Sequence, residues 1–330
     1  MKIPQHLSAL FLMIYLTSSC AFHAYERDLP RIKNLHENWV FAAEDEMQWR
    51  SAEVPGVVHT DLIRHGVIPD PWFRLNEKDV QWVENKDWVY KTTFEISKEE
   101  LEKTHIVLTF EGLDTYAEIT LNGKLLAHTD NMFLRYEYNV RKQLKVGKNE
   151  LIVKFQSPIN KLHEFVANRP YVLPAPNEPV DVKVSPYVRK APYQFGWDWG
   201  PRMVTSGIWR PVYLKFYDQP IIRDVQIHQK QLDSTLAVID VEVDVLIPNK
   251  GDYELQVGAI KIPIKNLQGE QKIRQEIRIV NPKLWWPYEW GRPHLYNLEV
   301  RIFEKGTIVD QEQKGFGVRT IELVQEADEL

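Results

Sequence analysis

The dominant pattern along the chain is alternation of apolar and polar residues with a period of two. Residues 106–110 (IVLTF) and 117–121 (AEITL) would each place apolar side chains on one face of a strand. Asn122 and Gly123 follow, a pair that readily adopts the positive φ angles of a tight hairpin turn. Similar runs recur at 151–155 (LIVKF) and 212–216 (VYLKF). A mostly antiparallel β-sandwich is therefore predicted for the first part of the chain.

A second set of strands is predicted after Gln219 and Pro220. Residues 239–245 (IDVEVDV) alternate without a break, and 253–257 (YELQV) resume the pattern beyond a turn. Further runs lie at 272–280, 298–303 and 308–314. Together these runs approach the roughly seven strands of an immunoglobulin-like sandwich. The chain is thus predicted to be all-β, with two sandwiches in series.

Helical signals are few and short. Thr60 is expected to cap a turn that ends at Gly66, and Ser157 followed by Pro158 is expected to open another. The proline-rich segment 170–192 is predicted to be a long irregular loop of the first sandwich.

Composition narrows the classes of partner and cofactor. Lysine and arginine contribute 41 positive charges and aspartate and glutamate 46 negative ones in 330 residues, a formal net charge of −5. No strongly basic tract occurs, so nucleic acid is not an expected partner. His59, His65 and His105 lack the spacing of metal ligands, and no glycine-rich phosphate loop occurs. We therefore expect no metal and no cofactor.

The N-terminus has the pattern of an export signal. Lys2 precedes an apolar run at 7–16, which is shorter than the roughly 20 residues that span a bilayer. The small residues 17–19 then precede Cys20, the only cysteine, as in a bacterial lipobox, although Thr17 stands where leucine is usual. We predict a signal peptide over 1–20, lipidation and membrane attachment at Cys20, and a periplasmic or outer-membrane location in a bacterium. Ordinary cleavage near Cys20, with a soluble product, is the alternative.

The most informative string is 194–202 (QFGWDWGPR). It places Asp198 between Trp197 and Trp199. A carboxylate between indoles can accept hydrogen bonds from two sugar hydroxyls while a ring stacks on the apolar face of the sugar. The alternative is a structural corner, in which the tryptophans plug the end of the sandwich and Asp198 caps backbone N–H groups.

Several strings resemble β-mannosidases of glycoside hydrolase family 2, and they occur in the family's order. In the first domain they are 55–62 (PGVVHTDL), 68–71 (IPDP), 81–83 (QWV), 87–90 (DWVY), 108–114 (LTFEGLD), 121–123 (LNG), 195–202 (FGWDWGPR) and 207–212 (GIWRPV). In the second they are 281–287 (NPKLWWP), 294–296 (HLY) and 315–321 (GFGVRTI). The hairpin string is common to family 2 enzymes, whereas the string around Asp198 is more particular to the mannosidase branch.

The resemblance implies a jelly-roll, galactose-binding-like β-sandwich over 21–219 and an immunoglobulin-like β-sandwich over 220–330. It also implies that Trp197, Asp198 and Trp199 contact the terminal mannose of a β-mannoside glycan. For Trp199 and for Arg202, fixing the loop is the alternative role. Trp285 and Trp286 are expected to serve interdomain packing.

The same resemblance implies that no catalytic residue lies in this chain. Retaining glycosidases use two carboxyl groups about 5 Å apart, and in this family both sit on a (β/α)8 barrel that needs roughly 250 residues. Only 324–330 follow the last matching string. Glu111, Asp114 and Glu118 lie on or beside strands, where solvated or turn-capping roles are commoner than catalysis.

Three interpretations follow. The preferred one is a truncated or split β-mannosidase, inactive alone, that a separate barrel polypeptide could complement; it predicts an exposed apolar docking face on the second domain. The second is a stand-alone carbohydrate-binding surface lipoprotein. The third is a structural or interaction scaffold.

Overall fold

The computed structural model describes residues 29–326, which form two compact units. The first comprises Arg31–Phe216 and the second begins at Tyr217. Strands dominate both units, and each is a β-sandwich with its own core, so the all-β prediction is confirmed. The predicted signal segment and Cys20 lie outside the described residues.

The first unit contains ten strands in two sheets. They are β1 (Arg31–Asn34), β2 (Val40–Ala43), β3 (Arg50–Ser51), β4 (Trp88–Ile96), β5 (His105–Phe110), β6 (Tyr116–Leu121), β7 (Lys124–Thr129), β8 (Tyr136–Asn139), β9 (Gly147–Gln156) and β10 (Val212–Tyr217). One sheet has the order β1-β10-β5-β8 and the other β3-β2-β4-β9-β6-β7. Buried apolar side chains of both sheets form one cluster, which includes Trp39, Phe110 and Phe155. This sandwich is the frame from which the candidate loop extends.

The hairpin between β6 and β7 follows the sequence prediction closely. Alternate residues of β6 are buried, and Asn122 and Gly123 form the turn with φ angles of 50° and 75°. Positive φ at both central positions is what a tight two-residue hairpin requires.

Three short helices interrupt the strands of the first unit. The sequence predicted the start of one correctly and the start of another wrongly, and it missed the third. Helix α1 (Val58–Arg64) begins before Thr60, whose hydroxyl donates to the Val57 carbonyl, so the predicted cap at Thr60 is wrong. Helix α2 (Lys98–Glu102) was not predicted, although Ser97 and Glu100 form a capping box. Helix α3 (Pro158–Ala167) opens at the predicted cap, where Ser157 accepts a hydrogen bond from the Asn160 N–H.

The second unit is a seven-stranded sandwich. Its strands are β11 (Ile221–Leu232), β12 (Leu236–Ile247), β13 (Asp252–Val257), β14 (Ile260–Lys265), β15 (Gly269–Val280), β16 (Tyr296–Glu304) and β17 (Thr307–Phe316). The sheets have the orders β11-β12-β15 and β14-β13-β16-β17. Their facing side chains, such as Val241, Leu255 and Val300, form the core. Edge strand β15 exposes charged residues at every second position, and edge strand β14 contains Pro263, two features that discourage pairing with other chains.

The segment between α3 and β10 is irregular, but it has a small core of its own. Short 3-10 turns occur at Ser185–Tyr187 and Pro192–Phe195. Buried Val184, Val188, Phe195 and Val204 form this loop core, against which Tyr116 and residues of α3 pack. The loop is therefore a packed part of the first unit.

Candidate functional site

The Trp-Asp-Trp string forms a tight turn at the surface of the first unit. The Gly200 N–H donates to the Trp197 carbonyl over 3.4 Å, which places Asp198 and Trp199 at the tip. Trp197 is 41% exposed and Trp199 82% exposed, with ring centroids 5.8 Å apart and an interplanar angle of 78°. The turn therefore displays both indoles to solvent instead of plugging the sandwich with them.

Asp198 is exposed, and its carboxylate has no hydrogen-bond or ion-pair partner within residues 29–326. The capping role considered for it is therefore absent from this part of the chain. An ionised carboxylate offers two acceptor oxygens. Both are free for donors outside the protein.

The backbone on the N-terminal side of the turn requires glycine. Gly196 has φ +117°, and a Cβ at this position would lie 2.5 Å from the Asn177 carbonyl oxygen. Only a residue without a side chain fits both the angle and the space.

Arg202 fixes the other end of the turn. Its Nε lies 3.1 Å from both carboxylate oxygens of Glu84, and its Nη2 donates to Glu84 Oε1 over 2.8 Å. Its Nη1 donates to the Phe195 carbonyl over 2.9 Å and lies 3.5 Å from Glu178 Oε1. Burial raises the pKa of Glu84, and hydrogen bonding to Arg202 opposes that rise. Arg202 is thus buried and holds the loop, which was the alternative considered for it.

A second buried network lies beneath the same loop. The Lys190 ammonium donates to Asp114 Oδ1 over 2.5 Å and to the Thr205 carbonyl over 2.7 Å, while the Thr205 hydroxyl donates to Asp114 Oδ2 over 2.6 Å. Burial lowers the pKa of Lys190, and Asp114 opposes the shift. The interpretation of Asp114 as solvated or turn-capping is wrong, and nothing in the sequence pattern marked Lys190.

His59 on α1 is close enough to Lys190 and Asp114 for their charges to shift its pKa. Burial, followed by the positive charge of Lys190, lowers the pKa of His59 to about 4. Its Nδ1 is buried and has no hydrogen-bond partner in the described structure. His59 is therefore a neutral packing residue under the loop at ordinary pH.

Two depressions flank the turn and share Trp197 and Gly200 as lining residues. One, of about 720 Å³, has an apolar lining that includes Trp72, Tyr193 and Met203. The other, of about 530 Å³, includes Glu77, Gln81 and Asn177. The turn thus forms a ridge between an aromatic depression and one lined by both polar and apolar residues.

Two other residues singled out in the sequence, Glu111 and Trp286, have packing or surface roles. Glu111 accepts a hydrogen bond from the Tyr213 hydroxyl over 2.7 Å and pairs with Arg135 at 2.9 Å. Trp286 packs beneath the Arg319 guanidinium at 4.5 Å within the second unit. No cluster of three potential metal ligands occurs among residues 29–326.

The described chain is thus a pair of β-sandwiches in series, and the first presents a surface turn on which Asp198, with no partner among residues 29–326, stands between two exposed indoles in the sequence. Residues 39–210 match the family described as the glycosyl hydrolase 2 galactose-binding domain-like family, and 221–319 match Glycosyl hydrolases family 2. The chain belongs to glycoside hydrolase family 2.

Similar proteins include β-mannosidases. Beta-mannosidase B of Thermothelomyces thermophilus is 33% identical over 88% of this chain and 34% of its own length. The Aspergillus terreus enzyme of the same name is 31% identical over 90% and 36%. The crystal structure of the β-D-mannosidase from Dictyoglomus thermophilum is 38% identical with a TM-score of 0.82, covering 90% of this chain and 37% of that one. The resemblance to the N-terminal part of β-mannosidases is thus confirmed, and the chain spans about a third of these relatives' length.

Proposed function

We propose that this chain supplies the substrate-contacting loop and the scaffold of a β-mannosidase, with Trp197, Asp198 and Trp199 binding the terminal β-D-mannose of a glycan. The observation that carries this proposal is the unpaired carboxylate of Asp198 on a turn whose two neighbouring indoles are exposed. Sugar hydroxyls would donate to the carboxylate, and the apolar face of the ring would lie against an indole.

Turnover requires groups beyond this loop. The acid/base and nucleophile of a retaining glycosidase must face one anomeric carbon, and binding energy at remote hydroxyls accelerates the reaction only when both are present. We assign these groups to a (β/α)8 barrel, supplied either by the same protein or by a separate polypeptide. The relatives' greater length supports this assignment.

Exposed apolar side chains of the second unit support a docking role toward such a barrel. Large apolar side chains exposed by more than half occur in its last strands and loops, namely Val280, Tyr288, Trp290, Leu295, Ile321, Leu323 and Val324. Contiguous exposed apolar patches on monomeric proteins often mark interaction sites, and we propose that these side chains contact the barrel.

The loop assignment is tested by calorimetry on the 330-residue chain with mannobiose. Asp198→Asn removes the charge from an exposed side chain, so we expect the affinity to fall at least about tenfold with an unchanged melting temperature. Asp181→Asn, at another exposed position of the same loop region, is the matched control. Equal affinity of the parent and Asp198→Asn proteins would refute the assignment. Binding of mannobiose tighter than millimolar would favour a stand-alone binding protein.

The location of the protein is also part of the proposal. We infer that 1–20 are removed on export and that Cys20 carries a lipid, because of the apolar run and the small residues before this cysteine. No helix among residues 29–326 has the length and apolarity needed to cross a membrane. Labelling of cells with an alkynyl fatty acid should mark the parent protein and leave Cys20→Ala unmarked; labelling of both, or of neither, would contradict lipidation at Cys20.

A further inference from the structure

A third depression, of about 430 Å³, lies on the outer face of the six-stranded sheet in the first unit. It shares no lining residue with the two depressions beside Trp197. Its lining is mostly polar and comes from β6, β7, β9 and α3, with Tyr116, Glu118, His128, Asp130, Lys154, Gln156 and Lys161 as the side chains that face it.

Strand register aligns the polar groups of this depression in two rows. Glu118 on β6 pairs with His128 on β7 and with Lys154 on β9, which forms one row across three strands. Tyr116 pairs with Gln156 in the next row. The intervening residues of β6, Ala117 and Ile119, are buried in the sandwich core, as the alternation of strand side chains requires. The sheet therefore presents a row of hydrogen-bonding side chains and one aromatic ring to this depression.

Several of these side chains are already held in place. The Tyr116 ring packs against the loop core, and the Lys161 ammonium lies 5.0 Å from the ring centroid. Lys161 also donates to Gln156 Oε1 over 2.7 Å, and Lys154 donates to Glu44 Oε1 over 2.6 Å. Prior ordering of this kind reduces the entropic cost of binding a ligand.

The charges of the lining select the class of ligand. Lys154 and Lys161 balance Glu118 and Asp130, so the formal charge is zero when His128 is neutral. An anion would meet two carboxylates and a lysine already paired with Glu44. A metal ion would need a cluster of three ligands, which the described residues do not provide.

Two acceptors in this depression are available to a ligand. The Asp130 carboxylate has no hydrogen-bond or ion-pair partner within residues 29–326, and its charge acts on Tyr116 and Tyr136. Glu118 lies 4.0 Å from His128 Nδ1, and its charge also acts on Lys154. Free carboxylate acceptors, lysine and amide donors and an aromatic ring suit a neutral molecule rich in hydroxyl groups. We propose that this depression is a second carbohydrate site, which binds a neutral hexopyranose on the face of the sheet.

The test uses the 330-residue chain carrying Asp198→Asn, in which binding at the Trp-Asp-Trp loop is weakened. Amide signals are followed by ¹H–¹⁵N NMR during titration with methyl β-D-mannopyranoside, with methyl β-D-glucopyranoside and with inorganic phosphate. We expect saturable shifts with at least one sugar, confined to residues of β6, β7 and β9. The double variant Glu118→Gln/Asp130→Asn should weaken that binding about tenfold.

Glu99→Gln, at an exposed position of α2, is the matched control and should leave the affinity unchanged. Both substitutions of the double variant alter exposed or partly exposed side chains, so folding should be preserved, which the dispersion of the same spectra reports. The proposal is overturned if neither sugar gives saturable shifts, if phosphate alone gives them, or if the double variant binds like the parent. Because shifts at β6, β7 and β9 report on this depression and shifts at 196–200 report on the loop, these outcomes are distinguishable from the loop's role.

Discussion

The two sandwiches of this chain differ in how many charged side chains they bury. In the first unit, charged or histidine side chains are buried at many positions, namely His59, Asp61, Glu100, Asp114, Glu178, Lys190 and Arg202. In the described part of the second unit, the only buried charged side chains are those of Glu242 and Asp310. Glu242 pairs with Lys272 and Arg274, whose side chains are 64% and 70% exposed. The second unit thus keeps its ion pairs at the surface and fills its core with aliphatic residues.

The difference shows where the fold has to hold an irregular backbone. Alternating strands position their own backbone through sheet hydrogen bonds, as β12 and β15 do over their full length. The loop that carries Asp198 lacks such a ladder. Buried ion pairs join it to distant segments instead, Lys190 to Asp114 and Arg202 to Glu84. Burial of charge costs free energy unless each group is paired, so these contacts tolerate little change.

The sharpest test of this contrast is Lys190→Met. The substitution would leave Asp114 buried without its cation, and we expect a loss of about 4 kcal/mol in the free energy of unfolding. Urea unfolding followed by tryptophan fluorescence measures it. Lys272→Met is the counterpart in the second unit, where an exposed side chain is removed from a surface pair, and its unfolding midpoint should match that of the parent. Similar losses in both variants would remove the distinction between the two units.

The sequence predicted correctly those features that depend on residues close to one another along the chain. The β6–β7 hairpin follows from alternation and from the Asn122-Gly123 pair. Five of the seven strands of the second unit, β12, β13, β15, β16 and β17, follow from alternation alone, whereas β11 and β14 had no predicted run. The opening of α3 follows from Ser157 and Pro158. Each signal lies within a few residues of its effect, so a single sequence contains it.

The contacts that hold the candidate site have no such local signal. Lys190 and Asp114 are separated by 76 residues, and Arg202 and Glu84 by 118. No period or spacing identifies such partners, because tertiary packing alone brings them together. Helix α1 has no side-chain cap, so a cap rule placed its start wrongly. The string around Asp198 drew attention to the loop, but the exposure of its indoles could be learned only from the packed structure.

A smaller effect is expected from pH, through His59. Its pKa in the folded protein is about 4 against an ordinary 6.5, because burial disfavours the charged form. The unfolded chain therefore binds more protons between these values, and stability should fall as the pH drops from 6.5 to 4, by about 3 kcal/mol in total. In His59→Gln, this part of the pH dependence should disappear. Asp61 and Glu84, whose pKa values burial raises, titrate in both proteins and cancel in the comparison. Parallel curves of stability against pH for the two proteins would contradict the burial of a neutral His59.

The smallest effect is expected from Arg202→Lys, which keeps the charge but not the planar fork. One ammonium cannot contact both oxygens of Glu84 and the Phe195 carbonyl at once, so we expect a loss of about 2 kcal/mol. Hydrogen exchange should show where that loss acts: the amides of 196–200 should exchange faster, whereas those of β4 and β9 should not. Arg274→Lys, which alters an exposed pair of the second unit, should change neither quantity. If Arg202→Lys lowered global stability but left exchange at 196–200 unchanged, the fork would support the sandwich instead of the loop, and the buried charges would no longer explain how Asp198 is held in place.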